Sequence, residues 1–156
     1  MPDLLRSQLG DFNSIVCFKA VVTGMEDALG EKATAIALTT AGRTRGKKLA
    51  TDLGLVGTLD SLDDVAKKLS QALGKEGTRL CIVDRIVTEG ENIKVYTSET
   101  VCSAGEPQNS TRKCTFTMGA VWGAIEQVLN KRFRAVHTES VLRGGTHDVF
   151  ELTPLD

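Results

Sequence analysis

The spacing of apolar residues predicts an α+β fold, with an antiparallel, four-stranded sheet packed by about four or five helices. Two observations carry this prediction. Apolar residues recur every three to four positions up to residue 73, and the pattern then changes to runs rich in β-branched residues over 79–87 and 93–101. A glycine-bearing helical stretch at 115–130 is followed by a second pair of alternating runs at 133–142 and 147–153. Helices first, then two hairpins separated by a helix, give an antiparallel sheet and not a parallel one.

The elements follow in order. Residues 1–11 form a leader, and the domain runs from 12 to 153 within a single-domain chain of 156 residues. From Asn13, a candidate N-cap, the positions Ile15, Phe18, Val22, Met25 and Leu29 share a helical face that ends at Gly30. Residues 31–41 predict a second helix with Ala33, Ile36, Ala37 and Thr40 on one side. Gly42 and Gly46 bracket Arg43-Thr44-Arg45, and a short helix follows over 46–53. Ser61 caps a helix over 61–73, with Asp63 and Asp64 in the first turn, where the helix dipole favours negative charge. Its inward face is Leu62, Val65, Ala66, Leu69, Ala72 and Leu73, and Gly74 ends it.

The first hairpin turns at Glu89-Gly90-Glu91-Asn92, and the polar stretch 103–113 predicts a surface loop. In the helix from 115 to 130, glycines stand four apart at Gly119 and Gly123, and alanines at Ala120 and Ala124. A mid-helix glycine costs about 1 kcal/mol against alanine, so two of them predict another backbone pressed onto that face. The following hairpin, turning at Gly144-Gly145, is the expected partner.

Bulk properties exclude several functions. The formal net charge is -1 and aromatics make up 4% of the chain. Neither an electrostatic field for nucleic acid nor a stacking platform for single strands is expected. No apolar run is long enough for a membrane span. Cys17, Cys81, Cys102 and Cys114 form no Cys-x-x-Cys pair. They are expected to be free thiols in a reducing, cytoplasmic compartment.

Chemistry-bearing motifs are sparse. His137 and His147, with Glu139 nearby, lack metal-site spacing and are expected to be exposed strand residues; no metal and no cofactor is predicted. No Gly-x-Ser-x-Gly and no Cys/His/acid set is evident, so the chain is not expected to be an enzyme. Arg43 and Arg45 sit in a run of four positive charges placed at a helix start, where an anion contact is conceivable. Phe18, Val22, Met25, Phe116, Met118 and Trp122 are the candidates to line an apolar ligand pocket.

Four blocks, in order, resemble the ligand-binding fold shared by TRAPP-complex subunits and the 4-vinyl reductase domain. They are Thr40 to Ala50 with its Gly-x-x-x-Gly-x-x-Leu core, Leu59 to Lys67, Cys114 to Glu126, and Val136 through Leu152. The resemblance covers about residues 12–153. It implies helix-mediated homodimers or heterodimers and an apolar cavity for a small hydrophobic molecule: hydrocarbon, acyl chain or tetrapyrrole. Two family features are missing. The acyl-bearing cysteine falls near Val56, and the two hairpin cysteines suspected of binding metal fall at Leu142 and Asp148. The expected function is non-catalytic binding of such a molecule by a cytosolic homodimer. The alternatives are an assembly module without ligand and an accessory factor in tetrapyrrole biosynthesis.

Overall fold

The computed structural model describes residues 6–57 and 61–156. Residues 1–5 of the leader, and Leu59 and Asp60 of the second family-like block, lie outside the described residues. The chain falls into two compact units, residues 1–34 and 35–156.

The first unit carries α1, Ile15–Leu29. Ser14 is its N-cap, its Oγ accepting from the Val16 N–H at 3.1 Å. The predicted cap, Asn13, sits one residue earlier and accepts from the Ser14 N–H. Gly30, at φ 88°, closes the helix by donating its N–H to the Glu26 carbonyl. Val22 is buried, and Phe18 and Met25 are half-buried. Ile15 and Leu29, expected on the same face, are 41% and 62% exposed.

α2 is continuous from Glu31 to Asp52. The break predicted between residues 42 and 46 does not occur. Nor do Ala33, Ile36, Ala37 and Thr40 form its inward side, since all four are exposed. Within the second unit the inward stripe is Leu38, Gly42, Gly46 and Leu49.

α3, Leu62–Leu73, matches its prediction. Ser61 accepts from the Asp63 N–H, Gly74 follows the last residue, and Val65, Ala66, Leu69 and Leu73 are buried. β1 (Ile82–Glu89) and β2 (Asn92–Ser98) form the first hairpin, with Gly90 at φ 63° in the turn. α4 is Thr115–Leu129, ended by Asn130 in the left-handed region. β3 (Phe133–Glu139) and β4 (Asp148–Pro154) form the second hairpin, joined through a 3-10 turn at Val141–Arg143.

Every strand pair is antiparallel, in the order β1-β2-β4-β3. The fold is therefore α+β, with a four-stranded sheet and four α-helices among the described residues. The core of the second unit lies between this sheet and its helices, around Leu69, Leu73, Ile86, Val95, Val121, Ile125, Phe133 and Phe150. No helix among the described residues is long and apolar enough to cross a membrane.

The glycines of α4 are pressed against a backbone, but that backbone is α2 and not the hairpin. A Cβ on Gly119 would strike the Thr39 carbonyl, and one on Gly123 the Arg43 carbonyl. The reverse also holds: a Cβ on Gly42 would strike the Phe116 carbonyl, and one on Gly46 the Ala120 carbonyl. Two glycine pairs of the same spacing thus face each other. The cost of glycine in both helices is offset by contact that no larger residue permits.

Candidate functional site

Two groups of polar side chains are buried in the second unit. The first forms at the seam between α2 and α4. Glu126, on α4, has a side chain only 4% exposed. One carboxylate oxygen accepts from Arg43 Nη2 at 2.6 Å, and the other from the Phe133 N–H at 2.8 Å. Lys47 Nζ stands 3.8 Å from the same carboxylate. The Arg43 guanidinium also lies 4.0 Å over the Trp122 ring, and Trp122 Nε1 donates to the Phe133 carbonyl at 2.9 Å.

This arrangement revises the picture of the basic run. It lies mid-helix, so its backbone N–H groups are not the free donors of a helix start. Arg43 and Lys47 turn to Glu126, and Lys48 pairs with Asp52 at 3.0 Å. Arg45 is half-buried. The group fastens helix to helix and to the start of β3.

The second group closes one end of the core face of the sheet. Register explains it. Thr97 on β2 stands opposite Asp148 on β4, and His137 on β3 stands opposite Phe150, one step along the same face. Apolar pairs such as Val95 and Phe150 fill the middle of that face, and the polar row ends it. Thr97 donates to the Asp148 carbonyl at 2.7 Å. The Asp148 carboxylate accepts from Thr100 Oγ1 at 2.9 Å, and its other oxygen lies 3.1 Å from His137 Nε2. Burial by itself would raise the pKa of this carboxyl group. Hydrogen bonds from His137, Ser140 and Thr100 outweigh it and hold the group below the usual range.

His137 was expected on the surface, but its side chain is 4% exposed and its ring packs on Phe150 at 5.1 Å. Its Nδ1 is buried without a hydrogen-bond partner among the described residues. His147, its expected companion, instead pairs with Asp84 at 3.5 Å and stacks edge-on with Tyr96.

The cysteines also depart from expectation. Cys102 and Cys114 form a disulfide, leaving Cys17 exposed and Cys81 buried as free thiols. Nothing in a 12-residue separation announces the pairing; the loop after β2 returns to the start of α4 and brings them together. Burial, with smaller contributions from Asp84 and Asp148, pushes the Cys81 thiol up to about 12. Four free thiols were the basis for a reducing compartment, and that basis is gone.

Cys114 Sγ lies 3.6 Å from Thr100 Oγ1, and within 4.8 Å of a ring nitrogen of His137 and a carboxylate oxygen of Asp148. The fold thus assembles the Cys/His/acid set that was not evident in the sequence. Its members come from the cap of α4, from β3 and from β4, so no local spacing marks them. As a metal centre the set does not fit. The Cys114 sulfur is engaged in the disulfide and is no thiolate ligand. At the two hairpin positions of the suspected family metal site stand Asp148 and the buried, apolar Leu142.

The residues predicted to line a ligand pocket stay on two helices. Phe18, Val22 and Met25 are on α1; Phe116, Met118 and Trp122 are half-buried on α4, against the core of the second unit. A groove of about 560 Å³ lies elsewhere, between α3 and β1, and Lys67, Lys75, Glu76, Asp84 and Arg85 make its lining charged. None of the six predicted residues lines it.

No protein-family model matches this sequence, and no curated protein matches it either. Solved structures do match in fold. The phenol-responsive sensory domain of the transcription activator PoxR, solved with phenol, aligns with a TM-score of 0.66 at 13% identity. The match covers 92% of this chain and 75% of that one. A trafficking protein particle complex subunit 3 from Naegleria fowleri, covalently bound to palmitic acid, aligns with a TM-score of 0.56 at 15% identity. That match covers 91% of this chain and 93% of the other. At such identities the likeness shows the fold alone.

Proposed function

We propose that this chain is a non-catalytic binding module for a small hydrophobic molecule, acting as a homodimer through its helices. The observation that supports this reading is the fold match over nine-tenths of the chain to two domains described as holding phenol and palmitate. The 4-vinyl reductase branch of the resemblance belongs to the same proposal, as does a cytoplasmic location. Within the second unit, Phe116, Met118 and Trp122 of α4 remain the proposed lining, and the palmitate chemistry is not carried over because Val56 stands where the acylated cysteine would fall.

The test is thermal unfolding with phenols, fatty acids, isoprenoids and tetrapyrroles. A ligand at a hundredfold excess over its Kd adds about 2.7 kcal/mol to the folded state. Tm should then rise by roughly 5–10 °C in a chain of this size. No shift with any class would overturn the proposal.

One observation favours a second reading, an assembly module without ligand. Val16, Val21 and Leu29 of α1 are 73%, 57% and 62% exposed. Such residues on one helix suit contact with another chain. Under that reading, sedimentation would show a dimer or larger species whose Tm ignores every small molecule.

A further inference from the structure

We propose that Cys102–Cys114 is a reversible thiol–disulfide site, opened by a dithiol reductant while the protein stays folded, and not a permanent staple. The two sulfurs are unequally placed. Cys102 is half-buried in the turn after β2, whereas Cys114 is 2% exposed. An attacking thiolate therefore reaches Cys102, and Cys114 is the leaving group.

The surroundings of Cys114 suit a departing thiolate. Cys114 is the N-cap of α4, a 15-residue helix, and its side chain makes no capping hydrogen bond. First-turn N–H groups and the helix dipole stabilise a thiolate at this position. Within 4.8 Å lies the His137 ring, whose Nδ1 is buried and unpartnered. Among the described residues, His137 from β3 and Asp148 from β4 face this sulfur, and the Cys81 thiol ahead of β1 also feels Asp148. The Asp148 carboxylate opposes a second negative charge, but His137, Thr100 and Ser140 already share its charge through hydrogen bonds.

The loop closed by the disulfide is also held by other bonds, so opening it does not require unfolding. The Asn109 N–H donates to the Leu142 carbonyl at 2.7 Å. Arg143 Nη1 donates to the Ser110 and Arg112 carbonyls at 2.8 and 3.1 Å.

The exchange balances as follows. A thiolate of the dithiol bonds to Cys102 Sγ, the Cys102–Cys114 bond breaks, and its electron pair stays on Cys114 as a thiolate. The second thiolate of the dithiol then attacks the mixed disulfide and releases Cys102, which is protonated. Two electrons pass from the dithiol to the protein, one of its protons ends on Cys102, and the other is released to solvent.

The experiment uses the oxidised full chain with dithiothreitol near neutral pH and no denaturant. Thiols are trapped by alkylation and mapped by mass spectrometry, with circular dichroism following the fold. Cys102 and Cys114 should both become labelled at least tenfold faster than the protein unfolds, with the spectrum unchanged, and should re-pair on reoxidation. Labelling that only keeps pace with global unfolding would overturn the proposal. His137→Gln should slow native-state reduction roughly tenfold, with the unfolding rate of the same variant measured in parallel so that reduction through unfolding is subtracted. A Cys102→Ser variant provides a check that does not depend on the histidine. Its Cys114 should show thiolate ultraviolet absorbance well below the ordinary thiol range, and absorbance that grows in only above about pH 8.5 would sink the idea.

Discussion

Gly46 of α2 and Ala120 of α4 approach so closely that a single methyl group on Gly46 would fall on the Ala120 carbonyl oxygen. The neighbour is backbone, which cannot swing aside as a side chain can. The same relation holds for Gly123 against Arg43.

Gly46→Ala and Gly123→Ala should therefore each destabilise the fold by about 2 kcal/mol or more, through overpacking. Gly24→Ala in α1 is the control, because nothing lies within 4 Å of its added Cβ. It should stabilise by about 0.5–1 kcal/mol through helix propensity and a less flexible unfolded chain. Urea midpoints of the three variants measure both signs.

Asp148 links stability to pH. Its folded pKa lies below the ordinary value of 3.8, so its contribution is fully present above that value. It is lost as pH falls through the lower, folded value. Wild-type stability should decline below about pH 4, and Asp148→Asn should lack that part of the decline. At neutral pH the variant should be less stable by about 3 kcal/mol, since it leaves His137 and Thr100 with weaker partners in a buried site. Urea unfolding at several pH values separates the two effects.

Glu126 anchors more than its ion pair. Glu126→Ala strands the Phe133 N–H as well as the Arg43 guanidinium, and should cost about 3–5 kcal/mol. Arg43→Met keeps a hydrophobic stem, but removes the guanidinium that lies over Trp122 and is the 2.6 Å partner of Glu126. With one-third of the Arg43 side chain exposed and Lys47 still nearby, its loss should be smaller, about 1–2 kcal/mol. An order reversed between the two variants would refute this view of the seam.

The sequence made the fold legible wherever one residue's chemistry acts locally. Ser61, Asp63 and Asp64 announced α3, and Gly90 the first turn. It misled where the deciding partner is distant in the chain. Gly42 and Gly46 read as a helix break because their compensation comes from α4, about seventy residues on. Gly119 and Gly123 do signal a close backbone, but nothing local in the sequence tells α2 from the hairpin as that backbone. His137 looked exposed because alternation in β3 does not show which face meets the core. Its burial follows from Asp148, Phe150 and the loop that carries Thr100. The Cys102–Cys114 bond belongs to the same class of long-range facts.

The strand order has a consequence for synthesis. β1 and β2 are adjacent in sequence and can pair at once, but the other neighbour of β2 is β4. Ser98 ends β2 and Asp148 begins β4, so about fifty residues, including all of α4, must be made before that edge is covered. At about 5–20 residues per second, β2 presents open backbone donors and acceptors for roughly 3–10 seconds. The nascent chain is most exposed to mispairing in that interval, and the arrival of the final seven-residue strand ends it.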